Sequence, residues 1–143
     1  MKLHIVTVGK PKLAYAKQGW TEYLKRLKRL HDVRVSQIAD KRAYDANHIL
    51  GVTAQTYRVA LVINAQQMSS LALADFLNKR AQEGREVSFI IGGPDGLPNE
   101  VITACDAQWS MSALTFPHDL AMVVLLETLY RSSTINAGHP YHH

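Results

Sequence analysis

The sequence predicts an α/β fold with a mostly parallel sheet covered by helices on both faces. Short apolar runs of strand length, such as residues 58–63 and 87–91, alternate along the chain with segments of helical periodicity. These runs lack the strict polar alternation of a sheet that has one face in water, so both faces should be covered. The 143 residues contain no repeat, low-complexity tract or linker, which predicts a single domain over 1–143.

The first half of the chain is predicted to alternate strands and helices. Residues 2–8 alternate around β-branched side chains and end at Gly9, which indicates a strand and its turn. Residues 11–30 repeat large apolar side chains at helical spacing with cations between them, which predicts an amphipathic helix. A second strand over 33–38 and a short helix over 47–57 complete this half.

The second half continues the pattern and ends in a long apolar helix. The predicted order is a strand over 58–63, a helix begun by Ser69 or Ser70 and ended by Gly84, a strand over 87–91, a helix over 98–106, a short strand over 108–111, a loop over 112–117 and a final helix over 119–136. Apolar residues surround most of the final helix, so we expect it to be buried on nearly all sides. Either the core of the same chain or a second subunit would cover it, and we favour a homodimer.

Composition restricts the partners of this chain. A hydrophobic content of 47% and a charged content of 20% are ordinary for a globular domain, and no apolar run approaches the roughly 20 residues that span a membrane. No signal peptide is recognisable, and the single cysteine, Cys105, excludes a disulfide framework, so we expect a cytoplasmic protein with no membrane partner. We interpret Cys105 as a buried helix residue and not as a nucleophile.

The charge of the chain points to an anionic partner. The net charge is +4, and four cations are concentrated in residues 25–31 (KRLKRLH), close to the predicted end of the first long helix. This segment is either a solvated helix face or a surface that contacts RNA, and the sequence favours neither interpretation.

A glycine-rich turn, GGPDG at 92–96, follows the predicted strand over 87–91 directly. Open α/β sheets bind ligands at the carboxyl edge of their strands, where bare backbone permits close approach. The pattern is neither a dinucleotide fingerprint nor a phosphate-binding loop for nucleoside triphosphates. The turn therefore marks either a ligand site or a purely structural connection.

Polar and aromatic side chains near the C-terminus are further candidates for function. His139, His142 and His143 lack the carboxylate or cysteine companions of a zinc site, so we expect no metal. Arg131 lies near the end of the final helix, where a cation also satisfies the helix dipole. His118 either opens this helix or faces a pocket.

Several motifs occur together and in a fixed order along the chain. They are MKLHIVTVGK, FIIGGPDGL, WSMSALTFPH, LLETLYRSSTI and HPYHH. In combination they closely resemble the RlmH family of SPOUT methyltransferases. The resemblance covers essentially the whole chain, and its most specific motifs lie in the last 60 residues or so.

The resemblance implies a fold, a partner and a methyl donor. Members of this family are homodimers whose C-terminal part forms a deep trefoil knot, a topology that no periodicity argument predicts. The knot would hold S-adenosyl-L-methionine, and no metal would be needed. Carried over residue by residue, the donor site would consist of Leu61, Gly92, Met111, Ser112, Ala113, Leu114, Thr115 and Phe116.

The resemblance also implies a reaction, the methylation of N3 of a pseudouridine in 23S rRNA, within the large subunit or the assembled ribosome. The candidate catalytic residues are His118, Arg131, Tyr141 and His142. We assign His142 to proton transfer, Arg131 to stabilisation of the developing charge, and Tyr141 to stacking or positioning of the base.

Two alternatives stay open at this point. One is a related knotted methyltransferase that acts on another RNA position, and the other is a non-enzymatic RNA-binding factor in ribosome assembly. Met122 and His143 bear on this choice, because the family pattern has a cation at each of these positions.

Overall fold

The computed structural model describes all residues from 1 to 143, and strands and helices alternate along the chain. The strands are β1 (Lys2–Val8), β2 (Asp32–Ile38), β3 (Tyr57–Leu61), β4 (Val87–Ile91) and β5 (Ala107–Trp109). The helices are α1 (Ala14–Lys28), α2 (Ala46–Val52), α3 (Ser70–Gln82), α4 (Asn99–Ala104) and α5 (His118–Asn136), with a 3₁₀ turn at Asp40–Arg42. None of the helices combines the length and hydrophobicity that crossing a membrane requires.

The five strands form one sheet in the order β2-β1-β4-β3-β5, and every neighbouring pair is parallel. The predicted α/β class is confirmed, and the sheet is entirely parallel. All five strands therefore end at the same edge, where the segments that follow them can meet.

Helices cover both faces of the sheet, as predicted. Successive residues of a strand point to opposite faces, so Leu3 and Ile5 of β1 enter one core while Val6 and Val8 enter the other. Helices α1, α3 and α5 close the larger core, and α2 and α4 close the smaller one. The central strand β4 is buried throughout, which explains why its sequence shows no polar alternation.

Within one chain, α5 is buried along one side. Its core side chains are Met122, Leu125, Leu126 and Leu129, all fully buried. Met122 thus fills the core, and packing explains its apolar character. The opposite side carries residues such as Val124, Glu127 and Arg131, which are half-buried. The chain itself therefore buries α5 on one side, whereas the sequence predicted that this helix is buried on nearly all sides.

Local interactions set the helix boundaries that differ from the predicted ones. The predicted helix over 47–57 ends earlier, at Val52, because the Thr53 hydroxyl bonds back to the carbonyl of Ile49 and Gln55 adopts a left-handed φ of 63°. Of the two candidate caps, Ser69 is the one used, since its hydroxyl accepts the backbone N–H of Ala72 at 3.0 Å.

Candidate active site

A cavity of about 340 Å³ opens at the carboxyl edge of the sheet. The segments that follow β3, β4 and β5 line it, together with the start of α5. Seven of the eight residues predicted to hold a methyl donor are among the lining residues: Leu61, Gly92, Met111, Ser112, Leu114, Thr115 and Phe116. The eighth, Ala113, is exposed and lies outside the lining.

The glycine turn is shaped by its own backbone. A Cβ at Gly92 would lie 2.6 Å from the carbonyl carbon of Gly96 and 2.7 Å from the backbone nitrogen of Leu97, closer than real contacts allow. Gly96 has a φ of +84°, which favours glycine, and its N–H donates to the carbonyl of Gly93 at 2.9 Å. The chain therefore folds back on itself and presents bare backbone to the cavity.

The loop between β5 and α5 is held by its own serines. The Ser110 hydroxyl donates to the carbonyl of Ser112 at 2.9 Å, and the Ser112 hydroxyl accepts the N–H of Leu114 at 2.9 Å. The N–H of Ser110 donates to the carbonyl of Gln66 at 3.0 Å, which ties this loop to the segment after β3. The cavity wall is thus ordered by hydrogen bonds within the chain.

His118 lines the cavity at the first residue of α5. Its Nε2 lies 2.8 Å from the carbonyl oxygen of Val8, at the end of β1. Because a carbonyl oxygen can only accept, Nε2 must carry the proton, and Nδ1 keeps its lone pair in the neutral ring. This contact fixes both the orientation and the tautomer of His118 beside the cavity.

Arg131, Tyr141 and His142 gather at the other end of α5, around Glu127. Oε1 of Glu127 accepts from Nε and Nη2 of Arg131 at 2.9 and 2.8 Å, and from the Tyr141 hydroxyl at 3.2 Å. Nη1 of Arg131 donates to Nδ1 of His142 at 3.2 Å. The hydrogen bond to Glu127 raises the pKa of Arg131, so the guanidinium stays charged.

Tyrosine and arginine side chains enclose Tyr141. Its ring lies 4.8 Å from the Tyr130 ring and 4.8 Å from the guanidinium carbon of Arg131, and its hydroxyl lies 3.1 Å from that of Tyr23. Burial and the hydrogen bond with Tyr23 raise the pKa of Tyr141, so it remains a neutral phenol. We call Glu127, Arg131, Tyr141, His142 and Tyr23 the tail cluster.

Comparison with known proteins identifies the family of this chain. A sequence family described as "Predicted SPOUT methyltransferase" matches residues 1–142. The chain is 46% identical to "Ribosomal RNA large subunit methyltransferase H" of Deinococcus radiodurans and 39% identical to the protein of the same name from Chromohalobacter salexigens, with 99% of each chain covered in both cases. The chain belongs to the SPOUT methyltransferase family.

Solved structures agree with this assignment at the level of the fold. TrmJ from Z. mobilis superposes on this SPOUT methyltransferase with a TM-score of 0.57 at 10% identity, over 94% of this chain and 70% of that one. A methylase family protein from Haemophilus influenzae gives a TM-score of 0.58 at 12% identity, over 99% and 70% of the two chains.

Arg131, Tyr141 and His142 of this SPOUT methyltransferase do not line the cavity of their own chain. His118 and Arg131 are separated by 13 residues of the continuous helix α5, a distance of about 20 Å at the helical rise per residue. Of the four predicted catalytic residues, the structure therefore brings His118 to the cavity. It places Arg131, Tyr141 and His142 together elsewhere.

Sequence reasoning missed several contacts of this SPOUT methyltransferase. Glu127 could have been found, because it lies four residues before Arg131 on a predicted helix, where opposite charges pair. No pattern in the sequence around Tyr23 or Asp119 predicted the contacts that these residues make. The carboxylate of Asp119 accepts the N–H groups of Lys12 and Leu13 at 2.9 and 2.7 Å, across more than a hundred residues of sequence.

Cys105 and the C-terminal histidines of this SPOUT methyltransferase are not arranged as a nucleophile and a metal site. Cys105 follows α4 and is half-buried, and burial raises its pKa to about 11, which disfavours the nucleophilic thiolate at neutral pH. No three histidine, cysteine or acidic side chains are placed to hold a metal ion together, the C-terminal histidines included.

Proposed function

We propose that this protein transfers a methyl group from S-adenosyl-L-methionine to N3 of a pseudouridine in 23S rRNA. The main support is the cavity at the carboxyl edge, which seven of the eight predicted donor-site residues line. The target comes from the relatives of the chain, which are named for methylation of large-subunit ribosomal RNA and share up to 46% identity over the full length.

The residues of the cavity fit the proposed methyl donor. Its volume of about 340 Å³ falls within the range of small-molecule sites, about 300–1,000 Å³. Leu61, Met111 and Phe116 offer apolar surface for the adenine ring, while the backbone around Gly92 and Gly96 allows the polar groups of the donor to approach closely.

S-adenosyl-L-methionine supplies a methyl group on a positively charged sulfur. In the proposed reaction the bond from N3 to the methyl carbon forms as the carbon–sulfur bond breaks, and its electron pair stays on the sulfur. N3 lies between two carbonyls and must lose its proton, while negative charge spreads onto the adjacent oxygens. The protein must therefore position the base, accept one proton and stabilise negative charge.

The tail cluster offers a group for each of these tasks. Tyr141 would stack on or position the base, and Arg131 would stabilise the charge on its oxygen. In the structure, Nη1 of Arg131 donates a hydrogen bond to Nδ1 of His142, so the lone pair of this nitrogen is already engaged. We propose that Arg131 turns toward the base as charge develops, which frees Nδ1 of His142 to take the N3 proton. His118, whose Nδ1 is already free beside the cavity, would orient the reacting groups from the donor side.

Arg131 lies ten residues of α5 beyond Ala121, the last residue of this helix that lines the cavity, which is a distance of about 15 Å. Arg131 of one chain would therefore not reach a donor in the cavity of the same chain. We propose a homodimer in which the tail cluster of one subunit meets the cavity of the other. The half-buried side of α5, which carries Val124, Glu127 and Arg131, is the surface that a second subunit would cover. This arrangement would place the target base between a donor held by one chain and catalytic groups of its partner.

We infer the trefoil knot and a cytoplasmic location as parts of the same proposal. The knot is supported by the contacts of residues 109–118, because Ser110 is bonded to Gln66 in the segment after β3, His118 is bonded to Val8 at the end of β1, and these residues line one cavity with the turn after β4. A cytoplasmic location is supported by the rRNA substrate of the named relatives.

Dimers that combine two different variant chains test whether the active site is shared between subunits. Gly92→Ala should abolish donor binding, and the double variant Arg131→Ala/His142→Ala should lose at least tenfold in rate while still binding the donor. Random mixing of the two variant proteins, after partial unfolding and refolding together, should raise the rate to about one quarter of the wild-type rate, since half of the dimers then hold one intact site. No recovery would argue against a site shared between subunits.

A further inference from the structure

A second cleft, of about 500 Å³, lies at the amino-terminal edge of the sheet, opposite the donor cavity. Four cations from three parts of the chain line it: Lys2 from β1, Lys28 and Arg29 from the end of α1, and Arg85 from the loop before β4. We call this the basic cleft. None of these four side chains forms a salt bridge, whereas six other cations of the protein do.

The acidic residues of the basic cleft do not balance its cations. Glu86 is held by Arg34 in a two-pronged ion pair of 2.8 and 2.9 Å, so its charge is already compensated. Asp32 is the only other carboxylate in the lining. His31 is neutral at pH 7, because burial, and then the charge of the chain's amino group, lower its pKa to about 4. The cleft therefore carries a net positive charge.

Helix dipoles explain only part of this charge. Lys28 and Arg29 lie at the C-terminal end of α1, where a cation is favourable in any helix. Lys2 and Arg85 do not belong to a helix and gain nothing from a dipole. Gathering like charges around one depression costs stability unless an anion binds between them.

The basic cleft is connected through α5 and α1 to residues that surround the tail cluster. Nε2 of His31, in the wall of the cleft, donates to the hydroxyl of Ser133 on α5 at 2.7 Å, and that hydroxyl donates to the carbonyl of Leu129. The guanidinium of Arg26 lies 5.2 Å from the Tyr23 ring and 5.7 Å from the Tyr130 ring, both of which contact Tyr141. Cations and aromatic rings thus continue from the cleft to Tyr141.

We propose that the basic cleft binds backbone phosphates of the RNA strand whose target base rests against Tyr141. Stacking side chains beside a positively charged groove are the combination by which proteins hold an unpaired RNA segment. This inference rests on the proposed function, because it takes the tail cluster as the place where the target base lies. It adds a contact for the flanking phosphates, at the edge of the sheet remote from the donor cavity of the same chain.

The test compares the double variant Lys28→Gln/Arg29→Gln with the wild-type protein. Filter binding to deproteinised 23S rRNA, measured across a range of salt concentrations, should show a logarithmic salt slope smaller by about 1.5, since each phosphate contact contributes about 0.7–0.9. The KM for rRNA should rise at least tenfold while kcat at saturating rRNA is retained. Calorimetric affinity for S-adenosyl-L-methionine should stay within twofold, and the melting temperature should not fall.

Lys17→Gln/Lys79→Gln is the matched control, because both side chains are exposed and neither lines the basic cleft. An equal loss of salt slope in this control, or an unchanged slope in Lys28→Gln/Arg29→Gln, would overturn the assignment of the cleft. If the wild-type protein binds rRNA through the cleft but transfers no methyl group, the proposed function is wrong, while the assignment of the cleft as an RNA-binding surface is supported. If the wild-type protein binds no RNA, both fail.

Discussion

Glu127 accepts a hydrogen bond from the hydroxyl of Tyr141 at 3.2 Å and thereby fixes the C-terminal tail to the middle of α5. The same carboxylate oxygen holds Arg131. Glu127 thus sets the relative positions of the side chain proposed to stabilise charge and of the one proposed to position the base. Chain ends are commonly loose, so this tie is what makes the tail usable for catalysis.

Replacing Glu127 by alanine should lower kcat for rRNA methylation by about 10- to 100-fold, because Arg131 and Tyr141 lose their common partner. Donor affinity should be unchanged, since Glu127 is not among the residues that line the cavity. Steady-state kinetics and calorimetry measure the two quantities. Asp75→Ala, which breaks the comparable i,i+4 pair with Lys79 on α3, is the control and should retain full activity.

Gly92→Ala should abolish donor binding and lower the melting temperature. The added Cβ would meet backbone atoms of Gly96 and Leu97, which cannot move aside without opening the turn. Gly51→Ala is a suitable comparison, because a Cβ at this helical position meets nothing within 4 Å and should stabilise α2 by about 0.5–1 kcal/mol. Equal behaviour of the two variants in thermal unfolding and donor titration would contradict this account of the turn.

The protein should lose stability as the pH falls from about 6.5 to about 4. Burial, and then the charge of the chain's amino group, lower the pKa of His31 to about 4 in the folded state. Over this range the unfolded chain binds a proton that the folded chain does not, which costs at most about 3 kcal/mol. Burial also lowers the pKa of His4, which acts in the same direction.

Urea unfolding at pH 7.5 and pH 5 measures this effect. His31→Gln should show a shallower loss of stability between the two pH values than the wild-type protein. His139→Gln, which alters an exposed histidine, should show the wild-type loss. The same loss in His31→Gln as in the wild type would show that His31 is not responsible.

Cys105 should be dispensable for activity and slow to react. Because burial raises its pKa to about 11, little thiolate is present at neutral pH. Alkylation by iodoacetamide at pH 7.5 should be much slower than for a free thiol, and Cys105→Ser should keep the wild-type kcat. Rapid inactivation by the reagent, absent in Cys105→Ser, would instead place the thiol in the mechanism.

Much of the fold could be predicted from the periodicity of the sequence. Particular residues show where periodicity carries no information. The buried strand β4 and the serine cap at Ser69 leave patterns in the sequence itself. The early end of α2 depends on the Thr53 side chain and the left-handed Gln55, which no hydrophobic pattern reports. The contact of His118 with Val8 joins residues 110 positions apart, so only the folded chain reveals it.

The candidate site also has features that the sequence predicts and features that only the structure reveals. The turn around Gly92 could be singled out because a glycine cluster directly follows a buried strand. The association of Tyr141 with Tyr23 could not, because it depends on how α1 packs against α5. Residue types alone also gave no sign that Arg131 and His142 lie outside the lining of the cavity of their own chain.

The most direct test of the account is methyl transfer to defined RNA. The wild-type protein would be incubated with isotope-labelled S-adenosyl-L-methionine and with ribosomes from a strain that lacks its pseudouridine methyltransferase, and the digested rRNA would be analysed by mass spectrometry. We predict one labelled nucleoside, N3-methylpseudouridine, that is absent when the Gly92→Ala protein is used. Label on another nucleoside, or no label at all, would contradict the proposed reaction.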